Sequence, residues 1–374
     1  MAGEAYLSIT FTGFSCWSPC EKSLNIEQKE GVIMSDSIHK RKSEHIEITL
    51  NKKVTGNQIS TGLEEISFIH NALPEIDFAE ISLKTNFLEH ELNTPFLISS
   101  MTGGAALAES INRHLAEAAE QRGWALALGS TRALIESKEH RSSFQVRKYA
   151  PHIPIITNLG AVQLNYGFGI EECKQIIEIT DANMLVLHLN SIQEVIQEDG
   201  NTNFKSLLGK IAELCQKLDV PVGVKEVGWG IDGKVAKKLM DVGIAFIDVA
   251  GAGGTSWSQV EKFRAKDRVK AEAAEAFSEW GIPTAECVLS VRKQVEDQPI
   301  VASGGMRTGL DAAKAIAIGA DMIGFGRSIL KEATQSTEDV MRVMATRELE
   351  LKMAMFGIGC SSLEELKRTD RVML

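Results

Sequence analysis

Four short polar clusters in this chain combine residue types that bind anions and cations. Ser303-Gly304-Gly305-Met306-Arg307-Thr308-Gly309 and Gly326-Arg327 both favour phosphate. Glycine lets backbone N–H groups approach oxygen closely, and a following helix N-terminus adds positive potential. Thr308 with Asp311 reads as a capping-box start to that helix; the bland alternative is a pair of tight turns needing positive φ. His188-Leu189-Asn190-Ser191-Ile192-Gln193-Glu194 gathers an imidazole, two amides and a carboxylate, a platform for a polar substrate and a metal. One carboxylate plus substrate phosphate oxygens is how Mg²⁺ is usually held. Lys225 needs an anion or an electron-rich partner if it is buried, or else a simple ion pair with Glu226. Arg41-Lys42-Ser43-Glu44-His45 reads as a solvated charge run, or as the capture point for an anionic substrate.

Composition narrows the classes. The 374 residues are 44% hydrophobic and 24% charged, which excludes wholesale disorder. Forty basic against fifty acidic side chains leave a formal charge of −10, so no nucleic-acid partner is expected. No apolar run reaches the ~18–20 residues a membrane span needs. Six cysteines without a CxxC pair fit a reducing compartment, and a cytoplasmic location is expected. Residues 1–40 lack periodicity and read as a flexible extension, with Met34 as a possible alternative start. Glu4 and the absence of a continuous apolar core argue against a signal peptide.

Those clusters need a scaffold, and the pattern from Pro95 onward supplies one. Apolar runs recur at Pro95–Ser99, Ala125–Leu128, Ile155–Asn158, Met184–His188, Val222–Lys225, Phe246–Val249, Ile300–Ser303 and Met322–Phe325. Amphipathic stretches lie between them, including Ser110–Arg122, Phe204–Lys217, Lys234–Asp241 and Gly309–Ile318, and Glu338–Gly357 closes the series. Short buried strands alternating with helices mean a parallel sheet. Eight of them predict an α/β protein of the (β/α)8 TIM-barrel class, occupying residues 41–374 together with an N-terminal arm. A doubly wound sheet is the alternative, but no run is followed by GxGxxG. The rhythm breaks after the sixth run, where Gly251–Ile282 reads as an active-site loop with an inserted helix. Its charged part, from Glu261 to Lys270, reads as a solvated helix face. A mouth rimmed by glycine and hydroxyl groups leaves room for a large planar polar ligand.

In order along the chain, Arg41-Lys42-x-x-His45, Ser100-Met101-Thr102-Gly103-Gly104, Gly129-Ser130, Asn158-Leu159-Gly160 and the His188–Glu194 cluster are followed by Lys225-Glu226-Val227-Gly228, Gly251-x-Gly-Gly254-Thr255 and Ser303-Gly304-Gly305-x-Arg307. This series resembles the type 2 isopentenyl-diphosphate isomerases, FMN-dependent barrel enzymes, over roughly Arg41–Gly357. The resemblance implies interconversion of isopentenyl and dimethylallyl diphosphate by a 1,3-proton shift, with reduced FMN as acid and base near its N5. NADPH would keep the flavin reduced and Mg²⁺ would neutralise the diphosphate. It further implies that Ser100, Met101, Thr102, Gly103, Ser130, Asn158, Lys225 and Thr255 contact the flavin, and that Gly304, Gly305, Gly326 and Arg327 hold its phosphate. Arg41, Lys42, His45, Ser130, Thr131, Arg132 and Gln193 would bind the substrate and Glu194 the metal, with Lys225, His188 and Asn190 supporting catalysis. A homo-oligomer, tetramer or octamer, is implied as well. Arg327 and the extension before Met34 depart from the family pattern. Two rivals remain: an FMN-dependent 2-hydroxyacid oxidase and a non-catalytic flavin-binding barrel. The first needs a His–Arg base pair after strand six or seven, yet every histidine lies at or before His188. An IMP-dehydrogenase-like barrel would need a cysteine within Gly251–Gln259, and there is none.

Overall fold

The computed structural model describes residues 40–101, 106–137 and 141–374. The expected flexible extension falls almost wholly outside the described residues, as do Thr102 and Gly103. Eight parallel strands close into a barrel in chain order. They are β1 (Phe96–Ile98), β2 (Ala125–Ala127), β3 (Ile155–Gly160), β4 (Met184–His188), β5 (Val222–Lys225), β6 (Phe246–Asp248), β7 (Ile300–Ala302) and β8 (Met322–Phe325). Closure is made by β8 against β1, with Ile323 opposite Phe96 and Phe325 opposite Ile98.

Alternation along each strand divides the core in two. Leu97, Ala125, Ala127, Ile156, Met184, Val186, Phe246, Val301 and Met322 pack together inside the barrel. Their neighbours, such as Phe96, Ile98, Ile155 and Leu185, belong to the larger core shared with the helices. An antiparallel hairpin, Thr85–Phe87 with His90–Leu92, which the sequence pattern did not reveal, packs Phe87 and Leu92 into the inner cluster. The Phe87 ring meets Phe246 edge-on at 5.2 Å. Filling the interior there leaves the carboxyl ends of the strands as the open face.

The helices follow the amphipathic stretches, running Ala106–Arg122, Leu207–Lys217, Gly233–Met240, Gly309–Ala317 and Thr337–Ile358. Thr308 and Asp311 form the expected capping box. After β6 the chain forms two helices rather than one, Trp257–Arg264 and Arg268–Glu275, because Asp267 caps a second start by accepting from Val269 N–H. Residues 40–51 are helical, and Ile46 of this arm joins the main core at 4% exposure. Among the described residues no helix is long and apolar enough to cross a membrane.

Candidate active site

One cavity of about 670 Å³ opens at the carboxyl ends of the strands, between them and the arm. Its volume is in the range of sites that bury a ligand larger than a simple metabolite. Two ends rich in charged side chains and a wall that carries Lys225 make up its lining.

The loops after β7 and β8 form the first end. Gly304 and Gly305 have φ of 96° and 75°, where glycine is favoured. A Cβ on Gly304 would lie 2.1 Å from the Gly251 carbonyl oxygen, and one on Gly305 would lie 2.4 Å from Thr61 Cγ2. Arg307 and Arg327 line the same end. Burial, then the neighbouring Arg307 charge, lowers the pKa of Arg327, whose Nε donates to Thr49 O of the arm at 3.1 Å. The hydroxyls of Ser99, Ser100 and Ser328 are buried without a partner among the described residues, and all three residues line the cavity. Unused hydroxyls and two crowded guanidinium groups form a donor set that fits a phosphate monoester, as FMN carries.

The wall comes from β3, β4 and β5. His188 Nδ1 lies 2.9 Å from Asn158 Oδ1 and therefore donates to it, which leaves Nε2 as the unprotonated nitrogen. Burial, then the Lys225 charge, pulls the His188 pKa down to about 3, so the imidazole is neutral at physiological pH. Lys225 makes no direct hydrogen bond to the Glu226 carboxylate, although its charge acts on both Glu226 and Asp248. Its ammonium donates to the Glu226 carbonyl. The Glu226 carboxylate instead accepts the N–H groups of Val227, Gly228 and Trp229 at 2.7, 2.7 and 2.6 Å. Burial pushes that carboxyl up to about 7 against those bonds. Lys225 lines the cavity with Asn158, Met101, Thr255, Gly228 and Gly254. A cation, two amide-bearing or hydroxyl residues and bare backbone suit the polar edge of a planar heterocycle.

The second end joins the arm to the loops after β2, β4 and β6. Lys42 Nζ donates to Ser130 O at 3.1 Å and stands 5.2 Å over the Phe144 ring. Burial, then repulsion from Arg41, drops the Lys42 pKa to about 7. Arg132 donates to Glu136 at 2.5 Å and to Asn201 Oδ1 at 3.0 Å. His45 Nε2 lies 2.9 Å from Glu261 Oε1 and its ring meets Trp257 edge-on at 5.1 Å. Gln193 Nε2 donates to the same Glu261 oxygen at 3.0 Å, and Arg264 Nη1 to the other at 2.5 Å. Burial would raise the Glu261 pKa, but the hydrogen bonds from His45 and Gln193 and the Arg264 charge hold it at about 2, while burial lowers the pKa of His45 itself and favours its neutral ring.

Glu261 corrects the reading of its charged run as a solvated face. It is 1% exposed and anchors His45 and Gln193, which line the cavity, together with Arg264. Trp257 and Gln163 also line the cavity without having been foreseen. Thr131 is the opposite correction: it is 0% exposed, and its hydroxyl donates to Asn158 O at 2.7 Å, away from the lining. Arg41, Lys42, His45, Ser130, Arg132, His188, Asn190, Gln193 and Glu194 are all brought to the cavity, as are Ser100, Met101, Asn158, Lys225, Thr255, Gly304, Gly305, Gly326 and Arg327. Among the described residues no group of three or more His, Cys, Asp or Glu could hold a metal. Glu194 is thus a single carboxylate, and a cation on it needs oxygens from a ligand.

A closed (β/α)8 barrel with a glycine- and arginine-lined end after β7 and β8 and Lys225 on the cavity wall fits an FMN-dependent barrel enzyme. The family described as FMN-dependent dehydrogenase matches residues 167–372. Solved structures share the fold at low identity: a flavocytochrome b2 variant with sulfite bound has a TM-score of 0.64 at 15% identity, covering 88% of this chain and 82% of its own. A lactate oxidase described as putative, from Pediococcus acidilactici, has a TM-score of 0.61 at 18% identity, covering 84% and 87%. Similarity over nearly the whole chain is far higher elsewhere. The isopentenyl-diphosphate delta-isomerase of Oceanobacillus iheyensis is 60% identical over 341 residues, 91% of this chain and 98% of that protein. Those of Nostoc sp. and Rickettsia canadensis are 45% and 46% identical, each over 88% of this chain and over 94% and 96% of their own. The chain belongs to the isopentenyl-diphosphate delta-isomerase family, in its FMN-dependent type 2 form, and is an isomerase.

Proposed function

We propose that the enzyme interconverts isopentenyl and dimethylallyl diphosphate with FMN kept reduced by NADPH and with Mg²⁺ on the substrate diphosphate. The observation that carries this reading is the pair of anion-binding ends in one cavity. Gly304, Gly305, Arg307 and Arg327 lie after β7 and β8, while Arg41, Lys42 and Arg132 gather with Glu194 near the loops after β2 and β4. Two phosphorylated molecules, cofactor and substrate, need two such ends. When bound and reduced, FMN supplies an electron-rich ring and, at N5, a group able to exchange a proton.

The chain's own residues perform the rest. Arg41, Lys42 and Arg132 would hold the diphosphate, and Glu194 would offer one carboxylate to Mg²⁺ beside phosphate oxygens of the substrate. A 1,3-proton shift adds a proton at one end of an allylic system and removes one from the other, with positive charge developing on the tertiary carbon between. His188, kept neutral, puts no competing cation beside that carbon. Trp257 beside His45 excludes water from the arm side, which strengthens the electrostatic terms inside. Gln193 is oriented by Glu261 and offers its amide to the substrate region.

The cysteines among the described residues are free, which supports a reducing compartment such as the cytoplasm. Exposed Leu349 and Met353, one turn apart on the Thr337–Ile358 helix, support burial of this face in a homo-oligomer. EDTA is expected to abolish isomerisation of the flavin-loaded enzyme and added Mg²⁺ to restore it. Glu194→Gln should cost about 10- to 100-fold in rate and blunt the Mg²⁺ response. Full activity in EDTA would contradict the metal role.

A further inference from the structure

Alternation along the strands places a carboxylate behind the cavity wall that the proposed reaction does not use. Residues two apart on a strand share a face, and Phe246 and Val301 belong to the cluster inside the barrel. Asp248 and Ser303 therefore point inward as well, one step nearer the mouth. A Cβ on Gly223 would meet the Phe246 ring at 2.2 Å, so Gly223 faces inward and Lys225 with it. Lys225 stands in register with Asp248 of β6 on one side and with His188 of β4 on the other. Adjacent strands lie about 4.8 Å apart, so these three are lateral neighbours on one inner face. His188 is neutral, and the Glu226 carboxylate is held by the N–H groups of its own turn. The charge that balances Lys225 on this face is thus that of Asp248.

Asp248 is 3% exposed, and a buried carboxylate is costly unless charge and hydrogen bonds compensate. Burial raises its pKa, while the Lys225 charge, the Ser303 hydroxyl and the Ala250 N–H oppose that rise. Its Oδ1 accepts from Ser303 Oγ at 2.5 Å and from Ala250 N at 3.3 Å. Lys225, Ser303 and Ala250 all line the cavity. Ser303 leads directly into Gly304 and Gly305. Ala250 has a φ of 39°, a conformation a residue with a side chain keeps only when its surroundings fix it. We propose that Asp248 is a positioning residue of the flavin site, offsetting the charge of Lys225 and holding the loops after β6 and β7 against that cation through Ala250 and Ser303. The proposal rests on the reading that the cavity holds FMN with Lys225 beside its ring. A bare cation there would stabilise the reduced ring's negative charge and lower its basicity. Asp248 tempers that field, which suits a ring that must take up a proton as readily as it gives one.

The test is the midpoint potential of bound FMN, measured by anaerobic equilibration with a reference dye, together with FMN affinity from flavin fluorescence. Wild type would be compared with Asp248→Asn, Asp248→Ala and Lys225→Met, with far-ultraviolet circular dichroism confirming the fold of each. Asp248→Asn keeps an oxygen for Ser303 and removes the charge. Its FMN affinity should stay within about twofold of wild type, while its potential rises. A tenfold gain for the reduced form is about 30 mV in a two-electron couple. Asp248→Ala also loses the anchor of both loops and should bind FMN about tenfold more weakly. Lys225→Met should move the potential the opposite way, downward. A potential that is unchanged or lower in Asp248→Asn overturns the proposal. So does a loss of FMN in Asp248→Asn equal to that in Asp248→Ala, which would make the residue a packing element. A potential unmoved in Lys225→Met instead overturns the reading that sets the flavin beside Lys225, so the two failures are distinct.

Discussion

Lys42 carries the clearest pH signature in the site. Burial and Arg41 bring its pKa down to about 7, so the free enzyme loses this positive charge as pH rises through that value. A diphosphate restores the charge once bound, so kcat/KM should fall above pH 7 while kcat changes less. Lys42→Arg, which cannot deprotonate, should flatten the profile; a wild-type kcat/KM constant from pH 7 to 9 would contradict this assignment. Glu261 is the other decisive side chain. Glu261→Ala leaves the Gln193 amide nitrogen and the His45 ring without their acceptor and Arg264 with only the partly exposed Glu44, and should cost on the order of 3 kcal/mol in stability, read from denaturant unfolding. It should also raise the substrate KM, because His45 and Gln193 lose their common anchor. Residues such as Arg41, Lys42, Gln193 and Glu194 were legible in the sequence because they sit in dense local clusters. Glu261 was hidden within a run of charges, and its meaning lies in a partner 216 positions away. Thr131 was overread for a related reason: pattern alone does not say which side of a strand-end loop faces the cavity.

The strands could be read from the sequence because parallel strands covered on both faces are continuous apolar runs. All eight expected runs coincide with barrel strands to within a residue or two. The hairpin Thr85–Phe87 with His90–Leu92 was not seen, since three-residue strands hold too few alternations to show a period. The break between the two helices after β6 depends on one capping aspartate in a sequence otherwise rich in helix formers. The loop after β7 makes a prediction of its own. Gly304→Ala places a Cβ against the Gly251 carbonyl at a φ of 96°, a strain of about 1–2 kcal/mol before any clash is counted. Purified Gly304→Ala should therefore retain far less flavin than wild type, measured as the flavin-to-protein absorbance ratio. A variant as yellow as wild type would remove this loop from the phosphate cradle.

At the level of the molecule, the arm, the barrel and the loop after β6 close one chamber with basic side chains gathered at its two ends. The arm is held by contacts to three separate regions: Lys42 to Ser130, His45 to Glu261, and Arg327 to Thr49. None of these ties is visible in composition, because they join segments between 88 and 278 positions apart. The barrel is shared with a flavocytochrome b2 and a lactate oxidase of very different sequence, so it is the residues at its mouth that decide the chemistry. The central claim is that a flavin serves here as a proton exchanger and not as an oxidant of the substrate. Its most direct test records the absorption spectrum of the purified enzyme with Mg²⁺ and isopentenyl diphosphate, before and after NADPH or dithionite under anaerobic conditions, while dimethylallyl diphosphate is assayed in each sample. The account predicts a yellow protein that is inactive as isolated, bleaches on reduction, and then forms the allylic product through many turnovers without recolouring. Steady turnover with the flavin still oxidised, or stoichiometric reoxidation as product forms, would contradict it.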